Sequence, residues 1–219
     1  MTKPHSERDL SDLFDEDLYW RRRELSDMKA AVKAADAAAK TVLLRALITL
    51  IYAHWEGYVR ECANRYFEYL KIRNKPYAEL ERQIYVNTFL VRLDALHRSR
   101  SSLEKRCALV NDILNGTTST FRYVHPMLID TKSNLNTNVT KEICLICSVD
   151  PSHFETKRIF IDQLILKRRN AVAHGQQEFI HENEVDSLVT EILGLMQHFR
   201  TLLENKVYQK QFLAPVNSL

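Results

Sequence analysis

The sequence TVLLRALITLIYAHWEGYVREC, from Thr41 to Cys62, decides the fold class. Apolar side chains recur in it at steps of three and four residues, which is the spacing of one buried face of an α-helix. The stripe consists of Leu44, Ile48, Ile51, Trp55, Tyr58 and Cys62. We expect one long buried helix here, because Arg45 interrupts the apolar run and the run is too short to span a bilayer.

The composition extends this prediction to the whole chain. Its 219 residues are 45% hydrophobic and 27% charged, with only 4 Gly and 5 Pro. That balance favours a helix-rich folded protein over a disordered one or a sheet protein with many turns. We therefore expect one all-α domain over residues 1–219, in which the polar residues 1–12 can be disordered. A net charge of +3 is too small to predict nucleic-acid binding by itself.

Helix boundaries can be placed from capping residues and breaks. Two long helices should meet at a break near residues 36–40. Further helical segments are expected over residues 77–98 and 101–115. Ser101 with Glu104 fits a capping box at the start of the second of these segments.

The segment 117–138 differs from the rest of the chain because it is rich in Thr, Ser and Asn. These side chains compete locally with helical hydrogen bonds, so we expect an irregular connection with one short strand around residues 121–124. Gly116, just before it, lies where a helix end favours a left-handed residue. Asn134 and Asn136 are better explained as loop-capping amides than as substrate ligands.

The four cysteines and the N-terminal sequence bound the type of protein. Cys144 and Cys147 form a CxxC, but Cys62 and Cys107 stand alone, so there is no second ligand pair for zinc. Core packing therefore explains this CxxC better than a metal or redox site. The first residues are polar and acidic, unlike a secretory signal, and we expect a cytoplasmic protein without a membrane segment.

The segment SHFETKRIFIDQLILKRRNAVAHG predicts a helix that ends at Gly175 and carries an unusual polar face. On a helical wheel the core side collects Ile161, Ile165 and Val172, flanked by Phe160, Leu164 and Ala171. The opposite side collects Gln163, Lys167, Asn170 and His174. A helix that only packs a core does not require this second set.

The last turn of this helix contains the candidate chemistry. Asn170 and His174 are four residues apart and so are neighbours, while Arg169 lies roughly 140° from His174 with small Ala173 between them. A guanidinium and an imidazole can therefore flank a shallow gap. Arg168 points to the apolar side and suits packing or an interface. From the spacing alone, a basic last turn that only compensates the helix dipole is the better explanation, because basic last turns are common.

The hexapeptide RNAVAH, Arg169 to His174, resembles a known motif. It matches the Arg, polar residue, three variable positions and His of the HEPN superfamily, whose members are all-α domains and in many cases metal-independent ribonucleases. The segment AHWEGYVRECANRYFEYL is similar to the early helix of one prokaryotic HEPN nuclease subgroup. The segment KSNLNTNVTKEIC is similar to the Asn-Leu-Asn element of that subgroup. The three segments occur in the expected order, and the resemblance covers the chain from about residue 30.

The resemblance implies a HEPN-like helical bundle with a short irregular insertion before the motif helix, and it implies roles for individual residues. Arg169 and His174 become the catalytic pair, and Asn170 orients His174 or a phosphate oxygen. Glu56 in the early helix either orients Arg169 or His174, or is a plain surface carboxylate. Lys167 and Arg168 are the cations expected to contact RNA.

The resemblance also implies a homodimer whose two motif helices form one composite cleft, with no metal and no cofactor. A role as a toxin or anti-phage defence effector follows from the family, as does an antitoxin or another regulatory partner protein. Some HEPN toxins are silenced by modification of a Tyr two residues after the motif His, where this chain has Gln176. The alternatives are a catalytically silent HEPN module that binds nucleotides or a partner, and a helical scaffold with no nucleic-acid role.

Overall fold

The chain folds into helices joined by short loops in a computed structural model that describes residues 3–98 and 102–215. The helices are α1 (Glu7–Ala34), α2 (Ala37–Ile72), α3 (Arg82–Arg98), α4 (Leu103–Asn115), α5 (Thr137–Cys147), α6 (Ser152–Thr156), a π-helical segment (Phe160–Lys167), α7 (Arg168–Ala173) and α8 (Val185–Tyr208). Three short 3₁₀ turns occur at Tyr77–Glu79, Gly116–Thr118 and Glu182–Glu184. The described residues contain no strand, which confirms the all-α class.

The start of α1 and the break before α2 are both set by side-chain caps. Ser6 and Asp9 form a capping box, so α1 begins at Glu7 and residues 7–12, which the sequence left as a disordered end, are helical. The side chain of Asp36 accepts a hydrogen bond of 2.9 Å from the Ala39 N–H. The break between the two long helices therefore falls where the sequence predicted it.

The predicted stripe of α2 forms the centre of the core. Its six residues are all buried, and α2 packs against both α1 and α8. At 36 residues α2 is much longer than its apolar run, and by length and composition alone it is apolar enough to cross a membrane. Core helices pass the same test, and the packing of this stripe against two other helices explains why it is apolar.

The region around α3 and α4 differs from the prediction in three details. Residues 77–79 form a 3₁₀ turn, and α3 begins only at Arg82. The predicted cap Ser101 lies outside the described residues, and the side chain that accepts from the N terminus of α4 is that of Ser102. Gly116 has a right-handed backbone with φ of −83°. A Cβ there would lie 2.9 Å from the Tyr85 hydroxyl oxygen, so a larger residue would require that side chain to move.

The connection over residues 117–138 is irregular, as expected, but the strand predicted over residues 121–124 is absent. Only an isolated bridge joins Thr120 to Pro76, and the Phe121 N–H donates to the Lys75 carbonyl. A single bridge holds the connection against residue 76, but without neighbouring bridged residues it does not form a strand. At the end of this connection the Asn136 side chain accepts from the Val139 N–H at 2.9 Å, which confirms its predicted capping role.

The motif helix is not one continuous α-helix. After α6 and a turn at Lys157, residues 160–167 are π-helical, and α geometry resumes only at Arg168. In a π-helix the backbone bonds join residues five apart, so residues four and five apart share a face. The buried side chains of this segment follow that spacing: Ile161, Ile165 and Leu166. Val172, which a regular wheel places with them, is only half-buried.

The cysteines of the CxxC pack in the core. Cys144 and Cys147 are free and buried, as is Cys62, whereas Cys107 is exposed. Burial raises the pKa of the Cys144 thiol to about 12, so it is protonated and unreactive at neutral pH. The prediction of core packing for this CxxC is confirmed.

Candidate functional site

The end of α7 presents the motif histidine to solvent. His174 is exposed and caps the helix, and Gly175 follows with φ of +71°, the left-handed conformation that glycine adopts without strain. The Gln176 N–H donates to the Ala171 carbonyl at 2.8 Å, and the Gly175 N–H donates to the Val172 carbonyl at 3.0 Å. This pair of bonds is a Schellman motif, which fixes the end of the helix where the sequence predicted it.

The guanidinium of Arg169 is held in place by two contacts. Its Cζ lies 4.2 Å from the centre of the Tyr52 ring, which is a cation–π contact. Its Nη1 donates to Oδ1 of Asn170 at 2.8 Å. Asn170 therefore orients Arg169 through its carbonyl oxygen, whereas the sequence assigned it to His174 or a phosphate. The amide nitrogen of Asn170 stays available beside His174.

Tyr52 is the residue of the site that the sequence analysis missed. Its hydroxyl accepts a hydrogen bond of 2.7 Å from the Leu135 N–H. Burial raises the pKa of Tyr52 to about 12; the Glu56 carboxylate adds to that rise, and the Leu135 bond and the Arg169 charge oppose it. The phenol is therefore neutral near pH 7 and keeps a proton to donate. The sequence contained one signal for its role: Tyr52 lies four residues before Glu56 on α2, so the two side chains are neighbours.

Glu56 acts on the site through Tyr52 rather than through the motif residues themselves. The Thr131 hydroxyl donates to its Oε1 at 2.5 Å, and its charge and hydrogen bonding act on Tyr52. Within the described residues its hydrogen bonds do not reach Arg169 or His174, so it does not orient either of them directly. The half-buried carboxylate instead links the 117–138 connection to the ring on which the guanidinium lies.

A polar cleft of about 460 Å³ opens beside His174. The predicted polar face of the motif helix lines it: Gln163, Lys167, Asn170 and His174. The remaining lining residues are Asn134, Asp162, Leu166, Ala171, Gln176 and Glu178. Arg169 and Ala173 are not among them, so the space lies on the Asn170 side of His174 and not over Ala173. In one chain the guanidinium of Arg169 is therefore held against Tyr52 and Asn170 and does not line the cleft.

Comparison with protein families decides the identity of this arrangement. A model of the RiboL-PSP-HEPN family matches residues 16–205. The chain belongs to this family. No match was found among curated proteins or among solved structures. Membership of the HEPN superfamily confirms the resemblance drawn from the motif and points to nuclease-like or nucleotide-binding chemistry.

Arg168 of this HEPN chain is a structural cation. Its Nη1 lies 2.8 Å from Oε2 of Glu184 and its Nε lies 3.5 Å from Oε1 of Glu178. Only 18% of its side chain is exposed. Because its charge is already paired, the structure supports the packing or interface role suggested by the wheel over the assignment of Arg168 to RNA contact. Lys167 is exposed, and no carboxylate in the described parts of the chain pairs with it.

The Arg168–Glu184 ion pair predicts a pH-dependent contribution to the stability of this HEPN domain. Hydrogen bonding from Arg168 holds the pKa of Glu184 below its ordinary value of 4.5. Because the folded-state pKa is lowered, the stabilisation is complete above the ordinary value and is lost as the pH falls through the folded value. Glu184→Gln should therefore lower the free energy of unfolding at neutral pH, and the loss should shrink in acid. Urea unfolding at several pH values measures this, and a loss that does not vary with pH contradicts it.

Proposed function

We propose that this chain is a metal-independent endoribonuclease that acts as a homodimer. The observation that supports the proposal is the pairing, on one short helix, of a guanidinium held on Tyr52 with an exposed imidazole five residues later. Arg169 and His174 can supply the charge stabilisation and the proton transfers that cleavage of a ribose phosphate needs when no metal takes part. Family membership supports the same class of chemistry.

In the proposed reaction the RNA supplies its own nucleophile. A neutral imidazole takes the proton of the 2′-hydroxyl, and the 2′-oxygen forms a bond to the adjacent phosphorus. A protonated imidazole gives its proton to the departing 5′-oxygen as the bond from phosphorus to that oxygen breaks. Guanidinium groups donate charge-assisted hydrogen bonds to the crowded phosphorane. The products are a 2′,3′-cyclic phosphate and a 5′-hydroxyl.

The homodimer supplies the second imidazole and the second guanidinium. One chain offers one His174 and one Arg169, and the guanidinium is held on Tyr52 and Asn170 and does not line the cleft. A second copy with its α7 against the first would bring both types of group to one phosphate. Lys167, exposed beside His174, would hold an adjacent phosphate of the RNA. No cofactor takes part in this scheme.

The wider role proposed here follows the family. The enzyme would act in the cytoplasm as a toxin or as an anti-phage defence effector. An antitoxin or another partner protein would restrain it. Gln176 stands where some HEPN toxins have the Tyr that a partner modifies, so the restraint would use a different contact.

Digestion of total RNA in EDTA tests the proposed function. We expect the wild-type chain to cut RNA at an undiminished rate with the chelator present, because no step requires a metal. We also expect 2′,3′-cyclic phosphates, identified by 3′ ends that resist ligation even after phosphatase treatment, and that ligate only when acid opens the ring and phosphatase then removes the phosphate. Strict dependence on a divalent cation, or products with free 3′-hydroxyls, would rule the mechanism out.

A second candidate is a catalytically silent HEPN module that binds nucleotides or a partner protein. It is favoured by one observation: in a single chain Arg169 is engaged with Tyr52 and Asn170 and does not line the cleft with His174. Saturable, salt-sensitive binding of RNA that stays uncut between about pH 5 and 9, which brackets the reference imidazole pKa, would select this candidate.

A further inference from the structure

The cleft beside His174 is unusually rich in carboxamide side chains. Four of the lining residues carry one: Asn134, Gln163, Asn170 and Gln176. The first, second and fourth are exposed, and in the described part of the chain their side chains make no hydrogen bond to protein. Asn170 uses only its oxygen, on Arg169. The cleft therefore offers several unused donor–acceptor pairs within reach of the motif imidazole.

The backbone is fixed by hydrogen bonds or by helix geometry in each of the three segments that carry the free amides. Asn134 lies between the Tyr52–Leu135 hydrogen bond of 2.7 Å and its own N–H bond of 3.0 Å to the Thr131 carbonyl. The guanidinium of Arg45 donates to the Gln176 carbonyl at 2.9 Å. Gln163 projects from the π-helical segment, a helical irregularity that occurs often at functional sites. The backbone positions of the amide residues are thus fixed before any ligand arrives.

The two carboxylates in the lining are already engaged. Asp162 accepts from the backbone N–H and the hydroxyl of Thr137 at 2.8 and 2.9 Å. Glu178 is paired with Arg168. Leu166 and Ala171 add an apolar surface between the polar side chains. A flat ligand with donors and acceptors on its edge could pack its face against the apolar surface and form hydrogen bonds with the free amides.

We propose that this cleft binds one nucleobase of single-stranded RNA, with a preference for adenine, through the carboxamides of Gln163 and Asn134. A carboxamide matches the paired donor and acceptor on an adenine edge in a bidentate manner. Single-stranded RNA exposes these edges, whereas an A-form helix does not. The volume of about 460 Å³ lies within the range of sites that hold small ligands.

The inference rests on the proposed function, since it places this base next to the phosphate that is cut at His174. Lys167, on the same face of the helix, would hold the neighbouring phosphate while the amides select the base. The preference for cutting beside one nucleotide would then be set by Gln163 and Asn134, and the rate by Arg169 and His174.

Binding of RNA analogues that cannot be cut tests the inference. Hexamers of 2′-O-methyl A, C, G or U lack the attacking hydroxyl, and fluorescence anisotropy measures their affinities. We expect the wild-type chain to bind the A hexamer at least about fivefold more tightly than the others, the low end of one bidentate contact. Gln163→Leu and Asn134→Leu should each reduce this preference, and Gln197→Leu, an exposed glutamine of α8, should leave it unchanged.

The outcomes separate this inference from the proposed function. Equal affinity for the four hexamers, or a preference that survives both Gln163→Leu and Asn134→Leu, overturns the base site even if the enzyme cuts RNA. A preference that the two variants remove supports the base site even if RNA stays uncut. In that case the proposed endoribonuclease activity is contradicted and the proposed base site is supported. Circular dichroism of each variant confirms that these exposed replacements leave the helices intact.

Discussion

Replacement of His174 by alanine is expected to lower the rate of RNA cleavage by a factor of about 10²–10⁴, the usual contribution of a general acid or base. The imidazole is exposed at the end of α7, and no side chain in residues 3–98 or 102–215 forms a hydrogen bond with it. Its loss should therefore leave packing intact and remove only the proton transfers. Rates of cutting of a defined RNA, measured for the purified variant in EDTA, give the result.

A histidine elsewhere on the surface supplies the matched control. His97 is exposed on α3, and His97→Ala should cut RNA at the wild-type rate. Both variants should unfold at the same temperature as the wild type. If His174→Ala keeps its activity within a few-fold of the wild type, the motif histidine takes no part in the reaction.

Replacement of Arg169 by alanine is expected to cost about 10²–10³ in the rate, the loss seen when one donor to a developing charge is removed. Arg169→Lys should also be impaired, because an ammonium cannot reproduce the planar fork of donors. Arg106→Ala, which removes an exposed arginine of α4, is the control and should be neutral. Single-turnover rates, measured with a saturating excess of enzyme over RNA, separate this loss in the chemical step from weaker binding.

The Tyr52 ring offers a second measure of the same contact. Tyr52→Phe keeps the face under the guanidinium, 4.2 Å from its Cζ, but loses the hydroxyl that accepts from Leu135. Tyr52→Leu loses both. If the ring positions Arg169, the phenylalanine variant should cut RNA faster than the leucine variant. Equal rates for the two variants would mean that the ring does not position the guanidinium.

Local periodicity accounts for what the sequence predicted well. The stripe of α2, the break at Asp36 and the stop at Gly175 depend on residues within a few positions of one another. The polar face of the motif helix was also predicted, and the structure brings all four of its members to one cleft. These features are set by helix geometry, which a single segment encodes.

Contacts between distant segments account for what the sequence could not predict. The ring of Tyr52 was assigned to no role, because only the packing of α2 against α7 brings it under Arg169. The π-helical turns over residues 160–167 depend on how Ile161, Ile165 and Leu166 fit the core, and a regular wheel cannot show this. The ion pairs of Arg168 could not be predicted, because its partners Glu178 and Glu184 come from the segment after the motif helix.

The division of labour in the site follows from the same geometry. The long-range contacts of Tyr52 and Glu56 act on the guanidinium, whereas the helix end alone presents the imidazole. One chain therefore holds one proton carrier at the cleft and one cation that does not line it. The proposed enzyme needs a second chain to unite them on one phosphate.

Dilution of the wild-type chain with an inactive one tests that requirement most directly. The double variant Arg169→Ala, His174→Ala is produced together with the wild type at several ratios, and the cutting rate is measured against the wild-type fraction. If two chains share each site, mixed dimers are inactive and the rate falls with the square of that fraction. A rate that falls in simple proportion to it would show that each chain carries a complete site, and would contradict the composite cleft.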